Sequence, residues 1–162
     1  MNGAQIHLML NHAPLFATLG GVLLFAWALL RASRELTRVG LVCLVLAGLV
    51  AVPVFLSGEP AEERIEHAAG VRPQSIERHE DAARVTLALI VATALAAASG
   101  LVLLRRRAEV GRFAIAILVL GLLAIFQTAW TAHLGGGIRH PELTNPASAD
   151  AQPSSETPVE HD

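Results

Sequence analysis

The chain has 162 residues, of which 53% are hydrophobic, with a mean hydropathy of +0.51 and a formal net charge of −2. A composition this apolar excludes a water-soluble globular domain. The single cysteine, Cys43, excludes an intrachain disulfide, and without a Cys-x-x-Cys-His motif the chain attaches no c-type haem to itself.

Four apolar runs, at about 13–30, 39–56, 82–104 and 113–134, are long enough to cross a bilayer, since about 20 helical residues match a hydrocarbon core of roughly 30 Å. The ten-residue alternating segments of a membrane β-barrel are absent. Every backbone group must be paired within lipid, so the expected fold class is an all-α integral membrane protein, a bundle of four transmembrane helices. No cleavable signal is expected, because the first apolar stretch is long and the positive charges follow it.

Taken in order, residues 1–12 form an apolar lead-in. Asn11 is placed to cap the first helix and Pro14 fits its first turn. His12 falls at the membrane edge, with His7 beyond it. The second run carries Gly48 and Ala51 for close packing, and Pro53, which should kink or end the helix near the outer surface. An acidic segment, 57–81, follows. Within it Glu62 to His67 can form a helical turn that puts Glu63 and His67 on one face. Ser75 reads as a helix start, which sets His79 in the first turns of the third helix. In the third run Ala88, Ala92, Ala96 and Gly100 form a small-residue stripe suited to helix packing. The fourth run has Gln127, Thr128 and Thr131 near its outer end and Trp130 at the interface. Gly135, Gly136 and Gly137 are expected to stop this helix, leaving His133 on its last turn and Arg139 and His140 just past it. The domain ends near 143, and 144–162, rich in Pro, Ser and acids, reads as a disordered tail.

Charge orients the bundle. The linkers 31–38 and 105–112 hold seven arginines against Glu35 and Glu109, a net of +5, whereas the opposite side has five arginines and twelve acids, a net of −7. The positive-inside rule puts the linkers in the cytoplasm of a bacterium and both termini in the periplasm, with the chain in the inner membrane. That location and the net negative charge exclude nucleic-acid binding.

All seven histidines lie on the outer side. Counting about 20 residues from each helix's arginine brings His12, Glu59 and His133 to nearly one level, with His79 about 9 Å further out. Imidazole is a common ligand of transition metals and of haem iron, and ionisable groups at membrane depth point to function. His12, His79 and His133 are the candidate metal or haem ligands. First and third helices commonly face each other across the diagonal of such a bundle, which makes His12 and His79 one axial pair. His133, with His67, would form a second pair or a supporting group, and Arg139 and His140 complete the cofactor-binding candidates. Glu59, Glu63 and Glu80 are candidates for proton transfer or for supporting a ligand. Arg72, Arg78 or Arg139 would meet haem propionates.

Rival chemistries fail on spacing. No Glu-x-x-His pair supports a carboxylate-bridged di-metal site, and His79-Glu80 lacks the second histidine of a zinc peptidase. No nucleophile or phosphate motif occurs, so the chain reads as a redox carrier or subunit rather than a stand-alone enzyme. The middle of all four runs is uncharged, which leaves a transporter without a path inside one chain. The expected function is electron transfer through a histidine-ligated cofactor, b-type haem, at the periplasmic end. The alternative is a non-catalytic or metal-binding membrane subunit that docks a periplasmic partner such as a cytochrome. A homo-oligomer is compatible with both.

The segments NHAPLF, SGEPAEE, RHEDAA and TAHLGGGIRHPE resemble a group of bacterial four-helix membrane proteins. That group is similar to a larger membrane family of unknown function, whose members begin with His-Pro or Asn-His-x-Pro and end in a helix terminus containing Gly-Gly. The resemblance covers about residues 5–143. Relatives in the larger family are sometimes joined to Rieske or cytochrome domains, which implies membrane electron transfer and a b-type haem. His12, His79, His133 and His140 are the residues that match by position. The chain departs from the pattern in having no fused redox domain and in ending AHLGGGIRH where the family has a tyrosine-bearing version.

Overall fold

The computed structural model describes residues 12–58, 73–106 and 111–139. They form four helices, α1 (Ala13–Leu30), α2 (Arg34–Leu56), α3 (Pro73–Arg105) and α4 (Gly111–Arg139), each with a segment long and apolar enough to span a membrane. No strand occurs among the described residues. Helix follows helix around a ring: α1 packs on α2, α2 on α3, α3 on α4, and a thinner seam between α4 and α1 closes it. α1 and α3 therefore face each other across the diagonal, as do α2 and α4.

Only 22–39% of the most apolar window of each helix is buried, so most of the hydrophobic surface faces outward, where lipid would solvate it. Lipid removes the hydrophobic drive for helices to associate, and close van der Waals packing takes its place. Glycines permit that packing. A Cβ on Gly40 would stand 2.8 Å from the Cα of Phe25, and one on Gly121 2.5 Å from Val22 Cγ2. Phe25, fully buried, fills the gap opened by Gly40, with Leu41, Leu44 and Ile117 around it. Gly48 and Ala51 are both buried, as expected, and Gly48 abuts Ala94. Cys43 is half-buried.

On α3 the packed stripe is Ala82, Thr86, Ile90, Thr93, Ala97 and Gly100. The expected stripe is corrected: Ala88 is exposed and Ala92 and Ala96 are only partly covered. An exact spacing of four drifts around a helix of 3.6 residues per turn, whereas alternating steps of three and four hold one face.

α1 and α2 meet in a three-residue turn. Ser33 N–H donates to the carbonyl of Ala28 and Ala32 N–H to that of Leu29, a Schellman closure with Ala32 in the left-handed region at φ 48°. Ser33 then caps α2, its hydroxyl accepting from Leu36 N–H at 3.3 Å. At the far end α2 runs one turn past Pro53 and stops at Leu56.

α3, with 33 residues, and α4, with 29, are about 50 and 43 Å long, more than a bilayer core requires. Their surplus lies at the end that carries His12 and His79. There α4 runs through Gly135, Gly136 and Gly137 to Arg139, which corrects the expected helix stop. Glycine weakens a helix by only about 1 kcal/mol per residue, and at Gly135 the ring of His79 from α3 packs against the backbone.

Candidate functional site at the histidine end

His79 belongs to the buried stripe of α3, seven residues before Thr86 and three before Ala82, so its half-buried ring points at α4. The ring Nδ1 lies 3.0 Å from the carbonyl oxygen of Thr131. A carbonyl only accepts, so Nδ1 carries the proton, and in the neutral ring the lone pair is on Nε2. The same ring rests on Gly135, where a Cβ would come within 3.0 Å of Cε1. One glycine of the run thus seats the imidazole, while Gly136 faces open space.

Two further hydrogen bonds tie the helices together below this seat. The hydroxyls of Thr86 and Thr131, both buried, meet at 2.8 Å, and Thr131 also donates to the carbonyl of Gln127 at 3.0 Å. Gln127 Nε2 donates to the carbonyl of Ala82 at 3.4 Å. The result is a polar ladder on an otherwise apolar interface, its hydroxyls paired with each other or with a backbone carbonyl, since an unpaired polar group costs more in lipid than in water.

Beside the ladder lies a cavity of about 400 Å³, within the size range of small-molecule sites. All four helices line it. Ala51, Val54, Phe55, Leu87 and Ile90 make apolar walls; Thr86, Thr128 and Thr131 contribute hydroxyl-bearing side chains; His12, His79, Glu80 and Arg84 supply the ionisable groups. Arg84 is held by two carboxylates of its own helix, Glu80 and, at 2.9 Å, Asp81.

The cavity brings together His12 and His79, one from the start of α1 and one from α3 across the diagonal. His12 occupies the position before the first helical turn of α1, is exposed, and makes no side-chain capping bond. His133 does not join them. It is exposed on α4 and its ring lies 5.8 Å from that of Trp130, tilted by 34°. The reason is rotational: the inward stripe of α4 is Ala124, Thr128, Thr131 and Gly135, and two residues beyond Thr131 the helix has turned by about 200°. The expected 9 Å offset is also corrected, for the His79 ring lies between Thr131 and Gly135, at the level of His133. Arg139 is the last residue of α4. His67, His140, Glu59, Glu63, Arg72 and the 144–162 tail lie outside the described residues, and the N-cap position of α1, expected at Asn11, is held by His12.

Among the described residues no three His, Cys, Asp or Glu side chains cluster as a metal-binding group. Thr86, Thr131 and Gly135 were not singled out in the sequence as partners of His79. The spacing His79, Thr86, Thr93, seven residues apart on one apolar helix, is the signal that marks them as one stripe. No family model, no curated protein and no solved structure matches the chain.

Proposed function

We propose that the protein is a membrane electron carrier whose cavity at the histidine end holds a prosthetic group through His79 and His12, b-type haem being the group that fits best. One observation carries this reading: a cavity of about 400 Å³ whose two imidazoles come from diagonally opposed helices, one of them with its Nδ1 proton already committed to a backbone carbonyl. That commitment is the usual way a ligating histidine is oriented.

The donor set supports a macrocycle over a bare ion. A transition metal bound by protein alone takes three or four ligands, and the described residues offer no such cluster. Haem iron needs only two from the protein. The apolar walls suit the rim of a porphyrin, while Arg84 at the cavity is already held by Glu80 and Asp81. When bound, haem supplies one-electron chemistry at its iron. The protein's own part would be to hold the His79 ring between Thr131 and Gly135, to present His12 from the start of α1 at the same cavity, and to exclude water with Phe55, Leu87 and Ile90.

The arginine-rich end is the cytoplasmic one in this reading, which puts the cavity on the periplasmic side of a bacterial inner membrane, open to a water-soluble redox partner such as a cytochrome. The test is the reduced-minus-oxidised visible spectrum of protein expressed with ample haem. Haem bands that disappear in His79→Ala and in His12→Ala are the expected result. A colourless protein, or bands that survive both substitutions, would overturn the assignment.

A further inference from the structure

The opposite end of the bundle carries its own unbalanced feature. Arg34 and Arg38 open α2, and Arg105 and Arg106 end α3 and the turn after it; all four are exposed. None makes an ion pair with a described carboxylate, since the ion pairs among the described residues all belong to Arg84. The two pairs are neighbours in space, because Arg34 Nη2 donates to the carbonyl of Leu104 at 3.1 Å and a Cβ on Gly100 would lie 3.3 Å from Leu41. Arg34 thereby caps an orphan carbonyl at the C-terminus of α3 and is partly used. Arg38, one turn further along the same face of α2, and Arg105 and Arg106, directly after Leu104, are not.

We propose that this cluster, at the junction of α2 and α3, binds the headgroup phosphate of an anionic phospholipid. Guanidinium forks match phosphate geometry. Two observations select a lipid over a free anion. Val39 and Val42 on α2 and Val102 on α3, each within about one turn of an arginine, are exposed large apolar side chains, so a ligand that reaches the arginines also runs along hydrocarbon-facing surface. Nearby, Arg31 lies 4.7 Å over the ring of Trp27, the pairing of charge and aromatic ring expected at the level of lipid headgroups. Charge then chooses among lipids: clustered arginines beside a membrane favour anionic over zwitterionic headgroups, by roughly fivefold per arginine.

The experiment uses the full chain in neutral detergent, with phosphatidylglycerol or phosphatidylcholine added and retained lipid counted by native mass spectrometry. Phosphatidylglycerol should be retained in clear preference, and the preference should shrink as salt is raised. Arg38→Gln with Arg105→Gln should lower retention by roughly 25-fold, following the same per-arginine factor, whereas Glu77→Gln, which alters a charge at the other end, should leave it unchanged. Arg34 is kept because it also holds α3. If the double variant does not fold, the salt series on the unaltered chain decides alone. Equal retention of the two lipids, no response to salt, a folded double variant that retains lipid like the parent, or full displacement by excess inorganic phosphate would each overturn the proposal, the last by showing a site for free anions.

Discussion

The imidazole of His79 and the backbone of Gly135 fit as ring and seat: the nearest ring atom, Cε1, lies 3.0 Å from where a Cβ at 135 would be. Nothing lies within 4 Å of the corresponding point at Gly136. Gly136→Ala should therefore show the plain gain in helix propensity, about 1 kcal/mol. Gly135→Ala has the same gain available but must displace a ring whose hydrogen bond to Thr131 is worth about 1 kcal/mol. No net stabilisation is expected from it, together with a changed His79 Cε1–H resonance in the NMR spectrum. Thermal unfolding of the two variants in one detergent checks the difference, and equal gains would remove the seat.

The hydroxyls of Thr86 and Thr131 depend on each other across the α3–α4 interface. Thr131→Val leaves Thr86 without that partner in a buried setting, at an expected cost of about 1–2 kcal/mol. Adding Thr86→Val to the same chain should restore part of the loss, because the second substitution removes the group left unsatisfied. A double-mutant cycle by chemical unfolding reads the coupling, expected near 1 kcal/mol; strictly additive costs would show that the two hydroxyls act separately.

Gly40 faces the backbone of Phe25 at 2.8 Å, and backbone cannot rotate out of the way. Gly40→Ala should force α1 and α2 apart and destabilise the bundle by about 1–3 kcal/mol. Gly20, with nothing within 4 Å of its would-be Cβ, is the matched comparison. Gly20→Ala should be neutral or more stable. A lowered melting temperature for Gly40→Ala and an unchanged or raised one for Gly20→Ala are the expected outcome.

Ala32 holds the left-handed position of the turn between α1 and α2, at φ 48°. A side chain there costs roughly 1–2 kcal/mol that glycine avoids. Ala32→Gly should raise stability by up to about 1 kcal/mol once the extra freedom of glycine in the unfolded chain is deducted. Ala32→Val should lower it, since a β-branched residue tolerates this region least. Unfolding midpoints of the three proteins should fall in the order Gly, Ala, Val.

How much of this could be read in advance depends on the physics behind each feature. The first span, 13–30, coincides with α1 because apolar length is fixed by bilayer thickness and Arg31 marks its end. α3 and α4 are longer than their apolar runs because a helix does not stop where lipid does: both run on at the end where the His79 ring meets Gly135, a contact hydropathy does not report. Propensity alone makes the glycine run a helix stop, because it does not register the His79 ring that makes a glycine useful at 135. Site residues followed helical phase. His79 was legible as a candidate and its inward aim follows from the Thr86 and Thr93 stripe, whereas His133 looked equivalent by depth and differs by rotation, a coordinate that counting residues from an arginine leaves out.

The two histidines of the cavity are mounted differently. His79 is clamped between two long helices by a carbonyl, a glycine and the threonine pair beneath it. His12 stands at an open helix start, exposed and with no side-chain cap to hold it. The cavity therefore has a stiff wall and a compliant one. A group entering it meets its geometry already set at His79, while nearly all the ordering it causes falls on His12 and the first turn of α1, so bound and empty forms should differ in the rigidity of that one turn and hardly at all in α3 and α4.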